Sequence, residues 1–478
     1  MVTVEDLPND VLLEIFYFYV VGYQDQGFID IGTTKREIES WQLLVHVCRR
    51  WRSVVFEFPR RLNLQLCCTP VPSARMSLNV WPSLPLQIYG YGPETPVDNV
   101  IATLKHSDRI CKIRINCHLY TIWEVEKLWT AMQVPFPELA TLNLSVIRTR
   151  IRSWAVAPVL PDSFLGGSAP RLRSLDLNSI PFPGIPKLLL SATHLVQLRL
   201  YNIPHSGYIS PEAMVTYLSA LTSLKWLQLG FESPESCPDL ETQPPFLPTR
   251  FVLPTLAEFW FKGASEYLEE FLARINAPQV YQLSIMFFND IHFDASELIQ
   301  FISRTPKLGV YDEAWLIFDG RRALVRLEPR PKPSNHRMVE VNILCKVSDW
   351  QLSSLAQICT LSLHPLLTME NLYIYEDLYP QLDWKDDIEN TEWLDLLHPF
   401  TAVKNLHLSE QFAPRIASAL QELTGGRTTE VLPALENVFL EGFQSSGPVQ
   451  EGIAQFISAR NLINCPVIIS VWDRPGAR

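Results

Sequence analysis

Long apolar runs are missing from this chain. A membrane-spanning helix takes about 20 apolar residues, and the best candidates, Val11 to Tyr23 and Val467 to Trp472, are too short or are broken by residues such as Glu14. No membrane partner is expected. The first residues, Met1-Val2-Thr3-Val4-Glu5-Asp6, lack the positive segment of a signal peptide, so export is not expected either. Cysteine is scattered: Cys48, Cys67, Cys68, Cys111, Cys117, Cys237, Cys345, Cys359 and Cys465 are odd in number and lack the dense spacing of a secreted disulfide scaffold. They read as reduced thiols in cytoplasm or nucleus. Basic charge is short as well. Forty Lys and Arg against 51 Asp and Glu give a formal charge of −11, which argues against a nucleic-acid partner, because neutralising phosphates needs a basic field. No nucleophile elbow, His-Glu-x-x-His zinc motif or dinucleotide fingerprint occurs, so neither catalysis nor a cofactor is expected.

What is present folds. Hydrophobic residues make up 47% and charged residues 19%, far from the composition of a disordered chain. At 478 residues the chain exceeds one ordinary core, so it is either several domains or a repeat array that adds core as it lengthens.

The first 60 residues have helical spacing. Pro8 suits a first turn, Asp10 suits the positive end of the helix dipole, and Val11, Leu12, Ile15, Phe16 and Tyr19 fall on one face. A polar loop follows from Gly22 to Ser40. Trp41, Leu44, Val47, Cys48, Trp51 and Val55 then mark a second helix, ended by Pro59. Two helices bury too little surface to stand alone, so the face needs a partner, the rest of the chain, or both.

Beyond Pro59 a phrase recurs: a hydrophobic residue, two others, a second hydrophobic, one other, and a third. It stands at Leu139/Leu142/Leu144, Leu172/Leu175/Leu177, Leu195/Leu198/Leu200, Leu224/Leu227/Leu229, Leu256/Phe259/Phe261 and Val280/Leu283/Ile285. It returns at Met369/Leu372/Ile374, Val403/Leu406/Leu408 and Leu435/Val438/Leu440. Successive starts in the first group lie 33, 23, 29, 32 and 24 residues apart, near or above the roughly 20 to 29 residues of leucine-rich repeats. The paired hydrophobics put two side chains on one face of a short strand, and the remainder returns over the back. Pro211 to Leu218 and Ser265 to Leu272 have the amphipathic spacing of such returns. Between about Phe288 and Met369 the rhythm stops. Trp315 to Phe318, Asp319-Gly320 and Ala323 to Leu327 predict a hairpin with an Asp-Gly turn, and Pro329 to Pro333 an exposed connector. A proline-rich stretch, Pro234 to Pro254, reads as a surface loop.

Several features invite sharper readings. Arg49, Arg50, Arg52, Arg60 and Arg61 form a basic cluster, for which a solvated helix face is the simpler account. Cys111, Cys117 and His118 lack the paired knuckle that tetrahedral zinc favours, so core thiols are preferred. Gly166-Gly167-Ser168 lacks the lysine of a phosphate loop and reads as a turn. Asp386, Asp387 and Glu389, near His398, suit the cap of a helix entering Trp393 to Leu397 better than acid-base chemistry. Trp226, Trp260 and Trp315 are read as repeat core.

Leu7-Pro8 leading into Val11-Leu12-Leu13-Glu14-Ile15-Phe16, with Val47-Cys48-Arg49-Arg50-Trp51 on a later helix, resembles the F-box. The loop from about 22 to 40 is longer than the usual F-box connection. Similar insertions, the phrase from His46 to Leu62, and the segments Phe164 to Pro170 and Ser206 to Glu212 resemble F-box-like proteins of mushroom-forming fungi. The resemblance implies a helical module that docks on the Skp-family linker subunit of a cullin-RING ubiquitin ligase, an SCF-type assembly, and leaves the remaining chain to bind a protein substrate. It carries over Leu7, Pro8, Val11, Leu12, Ile15, Phe16, Val47, Cys48 and Trp51 as docking and packing residues. The familiar leucine-rich pattern has Asn three residues after the third hydrophobic, where this chain has Ile147, Ile180, Ile203 and Phe443; an irregular variant is therefore expected.

The expected fold class is α/β: a helical F-box over residues 1–60, then an irregular leucine-rich-repeat-like solenoid of strand-helix repeats over 61–478. The expected function is that of a ligase adaptor without catalysis of its own. The alternative is a scaffolding repeat protein that recruits no ligase and buries the Val11 and Ile15 face internally.

Overall fold

Short segments with apolar residues at every second position pack best when stacked side by side, so that each row of side chains covers the next. The computed structural model is built this way. It describes residues 7–21, 40–59, 61–62, 64–68, 78, 83–90, 96–117, 121–146, 159–182, 185–234, 250–288, 295–309, 311–330, 337–345, 348–360, 364–376, 389–423, 427–442 and 448–472. The chain divides into two units, Met1–Tyr208 and Ile209–Arg478. Residues 22–39 of the expected 22–40 insertion, Arg60, His118, Ile147, Asp386, Asp387 and Phe443 lie outside the described residues, as do most of the Pro234 to Pro254 stretch and the end of the connector after Arg330; Ser40 already belongs to a helix.

The first unit opens with α1 (Asn9–Val21), α2 (Ser40–Val47) and α3 (Arg49–Glu57). Pro8 stands just ahead of α1, and its carbonyl accepts from the Val11 and Leu12 amides, both at 3.1 Å. Its missing N–H costs nothing at that position. The second expected helix is two helices. The chain breaks at Cys48, whose backbone is extended (φ −155°) and whose Sγ accepts from the Trp51 amide at 3.4 Å, capping α3.

Six parallel strands follow in chain order: β1 (Leu66–Cys68), β2 (Leu86–Gly90), β3 (Ile110–Asn116), β4 (Thr141–Ser145), β5 (Ser174–Asn178) and β6 (Gln197–Ile203). Helices α4 (Val97–Leu104), α5 (Ile122–Ala131) and α6 (Ile185–Ser191) return the chain after β2, β3 and β5. Thr121 and Glu124 form a reciprocal capping box that starts α5. The register aligns Ile113, Leu142, Leu175 and Leu198 in one buried row and Ile115, Leu144, Leu177 and Leu200 in a second. The glycine pair is a turn, as expected: Leu165, Gly166 and Gly167 have φ of 54°, 65° and 73°. A Cβ on Gly166 would lie 2.8 Å from Pro135 Cγ, so glycine is required there.

The second unit holds β7 (Trp226–Phe231), β9 (Glu258–Gly263), β11 (Gln282–Phe287), β12 (Glu313–Asp319), β13 (Arg322–Glu328), β14 (Met338–Leu344), β15 (Asn371–Glu376), β16 (Asn405–Leu408), β17 (Asn437–Glu441) and β18 (Ile468–Trp472), with β8 (Phe251–Val252) and β10 (Ile275–Asn276) paired apart. The order is β7-β9-β11-β14-β13-β12-β15-β16-β17-β18. The expected hairpin is β12 and β13, joined at Asp319, whose Oδ1 accepts from the Arg321 and Arg322 amides at 2.8 and 2.9 Å. Because β13 alone runs antiparallel to both neighbours, the out-and-back excursion leaves the strand direction unchanged, and parallel stacking resumes at β15. Returns are α7 (Pro211–Leu218), α8 (Ser265–Arg274), α9 (Ser296–Arg304), α10 (Ser348–Thr360), α11 (Asn390–Leu397), α12 (Ala413–Gln421) and α13 (Pro448–Leu462). Ser210 caps α7 by accepting from the Ala213 amide at 3.2 Å, with Pro211 in the first turn. The architecture is therefore mixed α/β, with strand-and-return repeats of the leucine-rich kind. Among the described residues no helix is long and apolar enough to cross a membrane.

Candidate protein-interaction surfaces

The N-terminal helices divide their apolar residues between two faces. Leu12, Leu13, Phe16 and Val20 of α1 are buried, as are Trp41, Leu44 and Val45 of α2 and Val54 and Val55 of α3. Phe16 packs on Trp51 with ring centroids 4.7 Å apart, and Trp41 donates from Nε1 to the Gln65 carbonyl at 3.0 Å. The other face stays open. Val11, Ile15 and Phe18 recur at helical spacing along α1, with Ile15 48% and Phe18 71% exposed; Leu43 and Val47 repeat the pattern on α2, with Val47 59% exposed. Of the carried-over residues, Leu12 and Phe16 therefore pack inward. Leu7 and Trp51 are half-buried, Pro8, Val11, Ile15 and Val47 are open, and Cys48 is an exposed cap.

Three arginines of the basic cluster tie parts of the module together and are not simply a solvated face. Arg50 donates to the Leu7 carbonyl and to Asn9 Oδ1 (3.0 Å), Arg52 Nε donates to the Val45 carbonyl at 2.9 Å, and Arg61 pairs with Glu14 at 2.6 Å and Asp10 at 3.5 Å.

The second surface is, in each unit, the face of the strands that looks away from the buried rows. In the first unit its middle line runs Tyr89, Arg114, Asn143, Asp176, Arg199 on successive strands. Asn143 Nδ2 donates to Asp176 Oδ2 at 2.9 Å, and Arg199 lies 3.8 Å from the same oxygen. Burial holds the Asp176 carboxyl up at about 6, although Arg199 and Arg114 pull it down. Lys112 and Arg114 stand 5.7 and 5.9 Å from the Tyr89 ring centre; burial, and then Arg114, bring the Lys112 ammonium down to about 8.

The corresponding line in the second unit is aromatic from β12 to β17 and reaches Ser470 on β18. Trp315, Tyr373, His407 and Phe439 stack with centroids 3.9, 4.2 and 4.4 Å apart and ring planes within 16°. Trp472 leans back over them, 5.9 Å from Tyr373 and 5.4 Å from His407. Burial, and then Arg330, bring His407 down to about 4, so the ring is neutral near pH 7. Beside the stack runs a ladder of side-chain amides: Asn437 donates to Asn405 at 2.8 Å and Asn405 to Asn371 at 2.9 Å.

The sheet register corrects the expectation that the three tryptophans belong to the repeat core. Trp226, Trp260 and Trp315 are half-buried on the open face, because Leu227, Leu229, Phe259, Phe261, Ala314 and Leu316 take the inward positions between them. An asparagine ladder that sequence reasoning missed runs along the strand starts; its signal is the repeated Asn before the second hydrophobic, in Glu370-Asn371-Leu372, Lys404-Asn405-Leu406 and Glu436-Asn437-Val438.

Cys111 and Cys117 sit on β3 and just after it. Burial pushes their thiols up to about 11 and about 12, and Cys111 Sγ donates to the Leu86 carbonyl at 3.3 Å. Among the described residues no group of three or more His, Cys, Asp or Glu side chains is arranged to hold a metal ion. Glu389 precedes α11, but its side chain makes no capping hydrogen bond.

No protein-family model matches the chain, and no curated protein matches it. Among solved structures it is similar to the leucine-rich repeat-containing protein LegL7 from Legionella pneumophila, at 11% identity and a TM-score of 0.26, over 86% of this chain and 91% of that chain.

Proposed function

We propose that this protein is the substrate-recognition adaptor of an SCF-type, cullin-RING ubiquitin ligase. In this reading α1 and α2 dock on a Skp-family linker subunit, and the strand-and-return array holds a protein target. The observation that carries it is the exposure of large apolar side chains at helical spacing on both helices, Val11, Ile15 and Phe18 on α1 and Leu43 and Val47 on α2. An apolar helix face left open beside a fully packed one is suited to a partner, and the F-box resemblance of the same segment names the kind of partner. A scaffolding chain that used these helices only as an end cap would instead turn Val11 and Ile15 inward. The chain's contribution is proximity: holding a target beside a ligase-bound conjugating enzyme raises the effective concentration of its lysines without any covalent step on this protein.

The test is capture of the full chain by a purified Skp-family linker. Burying one isoleucine is worth about 1.5 to 3 kcal/mol, so Ile15→Asp is expected to weaken capture by about tenfold to a hundredfold or more. Val47→Asp should act likewise. Both positions are exposed, so both variants should keep the wild-type circular dichroism. Trp51→Ala, by contrast, removes the ring packed on Phe16 and reports on the fold of the module. Wild type that is not captured would favour the scaffolding role.

A further inference from the structure

The last strand of the second unit, β18, pairs on one side only, with β17; no described strand lies on its other side. The Ile468 amide donates inward to the Glu436 carbonyl at 2.9 Å. Backbone direction alternates along a strand, so Ser470 and Trp472 also face β17, while Ile469 and Val471 turn their N–H and C=O groups outward. The side chains at this edge are apolar and open: Ile468 is 62% and Val471 61% exposed, and Leu462 and Ile463 at the end of α13 are exposed beside them in sequence. Folded proteins usually protect such an edge with lysine, proline or a bulge, and Ile468-Ile469-Ser470-Val471-Trp472 has none of these. From Gly452 to Trp472 the one charged side chain is Arg460. It is buried and donates to the carbonyls of Thr428, Leu432, Pro433 and Leu435. In a chain of formal charge −11 this segment presents no exposed charge.

We propose that β18 joins two copies of this chain, antiparallel, about a two-fold axis at Ser470. The strand is self-complementary in that register, reading apolar, apolar, serine, apolar, apolar from either end. Ile469 faces Val471 of the second copy, twice, and these are the residues with outward amides, so they exchange the ladder hydrogen bonds. Ser470 then faces its own counterpart in the non-hydrogen-bonded position, where Cα atoms approach to about 4.5 Å. Ile468 covers Trp472 of the second copy. A like copy suits the edge because Ile468–Trp472 carries no charge in either copy, so the paired strands add no like-charge repulsion to that of two anionic chains. The interface is isologous and closes at two, so it does not propagate into a fibre. It lies in the unit that does not contain α1 and α2 and stands or falls independently of the adaptor reading.

The test uses the full chain in analytical ultracentrifugation, with cross-linking as a second measurement. Wild type is expected to show a concentration-dependent dimer. Val471→Lys, at an exposed edge position, should weaken it by about tenfold or more while leaving circular dichroism unchanged. Val134→Lys, another exposed apolar position, in the first unit, should leave it intact. Under mild oxidation Ser470→Cys should form a disulfide-linked dimer above the wild-type background, because about 4.5 Å between Cα atoms falls within disulfide range. Ile468→Cys, facing Trp472, should not. A wild type monomeric at its highest soluble concentration overturns the proposal, as does a dimer that tolerates Val471→Lys and fails to link through Ser470→Cys.

Discussion

In the first unit the middle of the open sheet face reads Arg114, Asn143, Asp176, Arg199 from β3 to β6; in the second, over the strands β12, β15, β16 and β17, it reads Trp315, Tyr373, His407, Phe439. The strand positions beside them that turn inward are of one kind in both: Leu142, Leu175 and Leu198 against Leu372, Leu406 and Val438, all buried. One backbone plan thus carries two sorts of row. The inward row has no freedom, since each strand gains stability only by covering its neighbours, at roughly 25 cal/mol per Å² of apolar surface. The outward row is released from that demand: it is polar and ionic over β3 to β6, and in the second unit an Arg326–Glu340 ion pair on β13 and β14 gives way to aromatic rings from β12 to β17.

The largest expected effects break what the units share. Leu175→Ala and Leu406→Ala should each cost about 2 to 5 kcal/mol in chemical denaturation, because each leaves a cavity between strands. Similar costs in the two units would support a common plan; a cost near zero in either would remove it.

Effects on the outward rows should be smaller and should differ. Asn405→Ala removes the middle rung of the amide ladder, leaving Asn437 without its acceptor and Asn371 without its donor, at about 1 to 3 kcal/mol. Acid should push the units in opposite directions. His407 is depressed to about 4 from an ordinary value of 6.5, so its contribution is complete above 6.5 and is lost as pH falls toward 4. Cation–π attraction from the facing rings offsets part of that loss. Asp176 is raised from 3.8 to about 6, so its contribution is complete below 3.8 and is lost as pH rises through 6. Hydrogen exchange resolved by unit between pH 7 and about 4 should show the second unit loosening relative to the first, and His407→Phe with Asp176→Asn should abolish the difference. The smallest effect belongs to the exposed Arg171–Glu138 pair, where Glu138→Gln should change stability by about 0 to 1 kcal/mol.

Much of the inward row was legible because two paired leucines in a six-residue phrase leave strand alternation little choice. The returns at Pro211–Leu218 and Ser265–Arg274 were legible from helical spacing, and the hairpin from Asp319-Gly320. The break at Cys48 was not, since Trp41, Leu44, Val47, Trp51 and Val55 keep a helical period straight through it; only the cap geometry shows the interruption. Nor was the aromatic stack. Trp315, Tyr373, His407 and Phe439 are far apart in sequence, and a tryptophan in a hydrophobic phrase is ordinarily assigned inward. Only strand register puts these rings in one line. At the N-terminus the helical face was legible, but its division was not: Phe16 and Ile15 are neighbours in sequence, one fully buried and one half exposed.

The central claim is that the open stripe on α1 and α2 is covered by a linker subunit. Amide hydrogen exchange of the full chain with and without a purified Skp-family linker tests it most directly. New protection in residues 9–21 and 40–47, absent from the Ile15→Asp variant, is the predicted result. Protection that fails to appear there, or that appears only in the strand array, would contradict it.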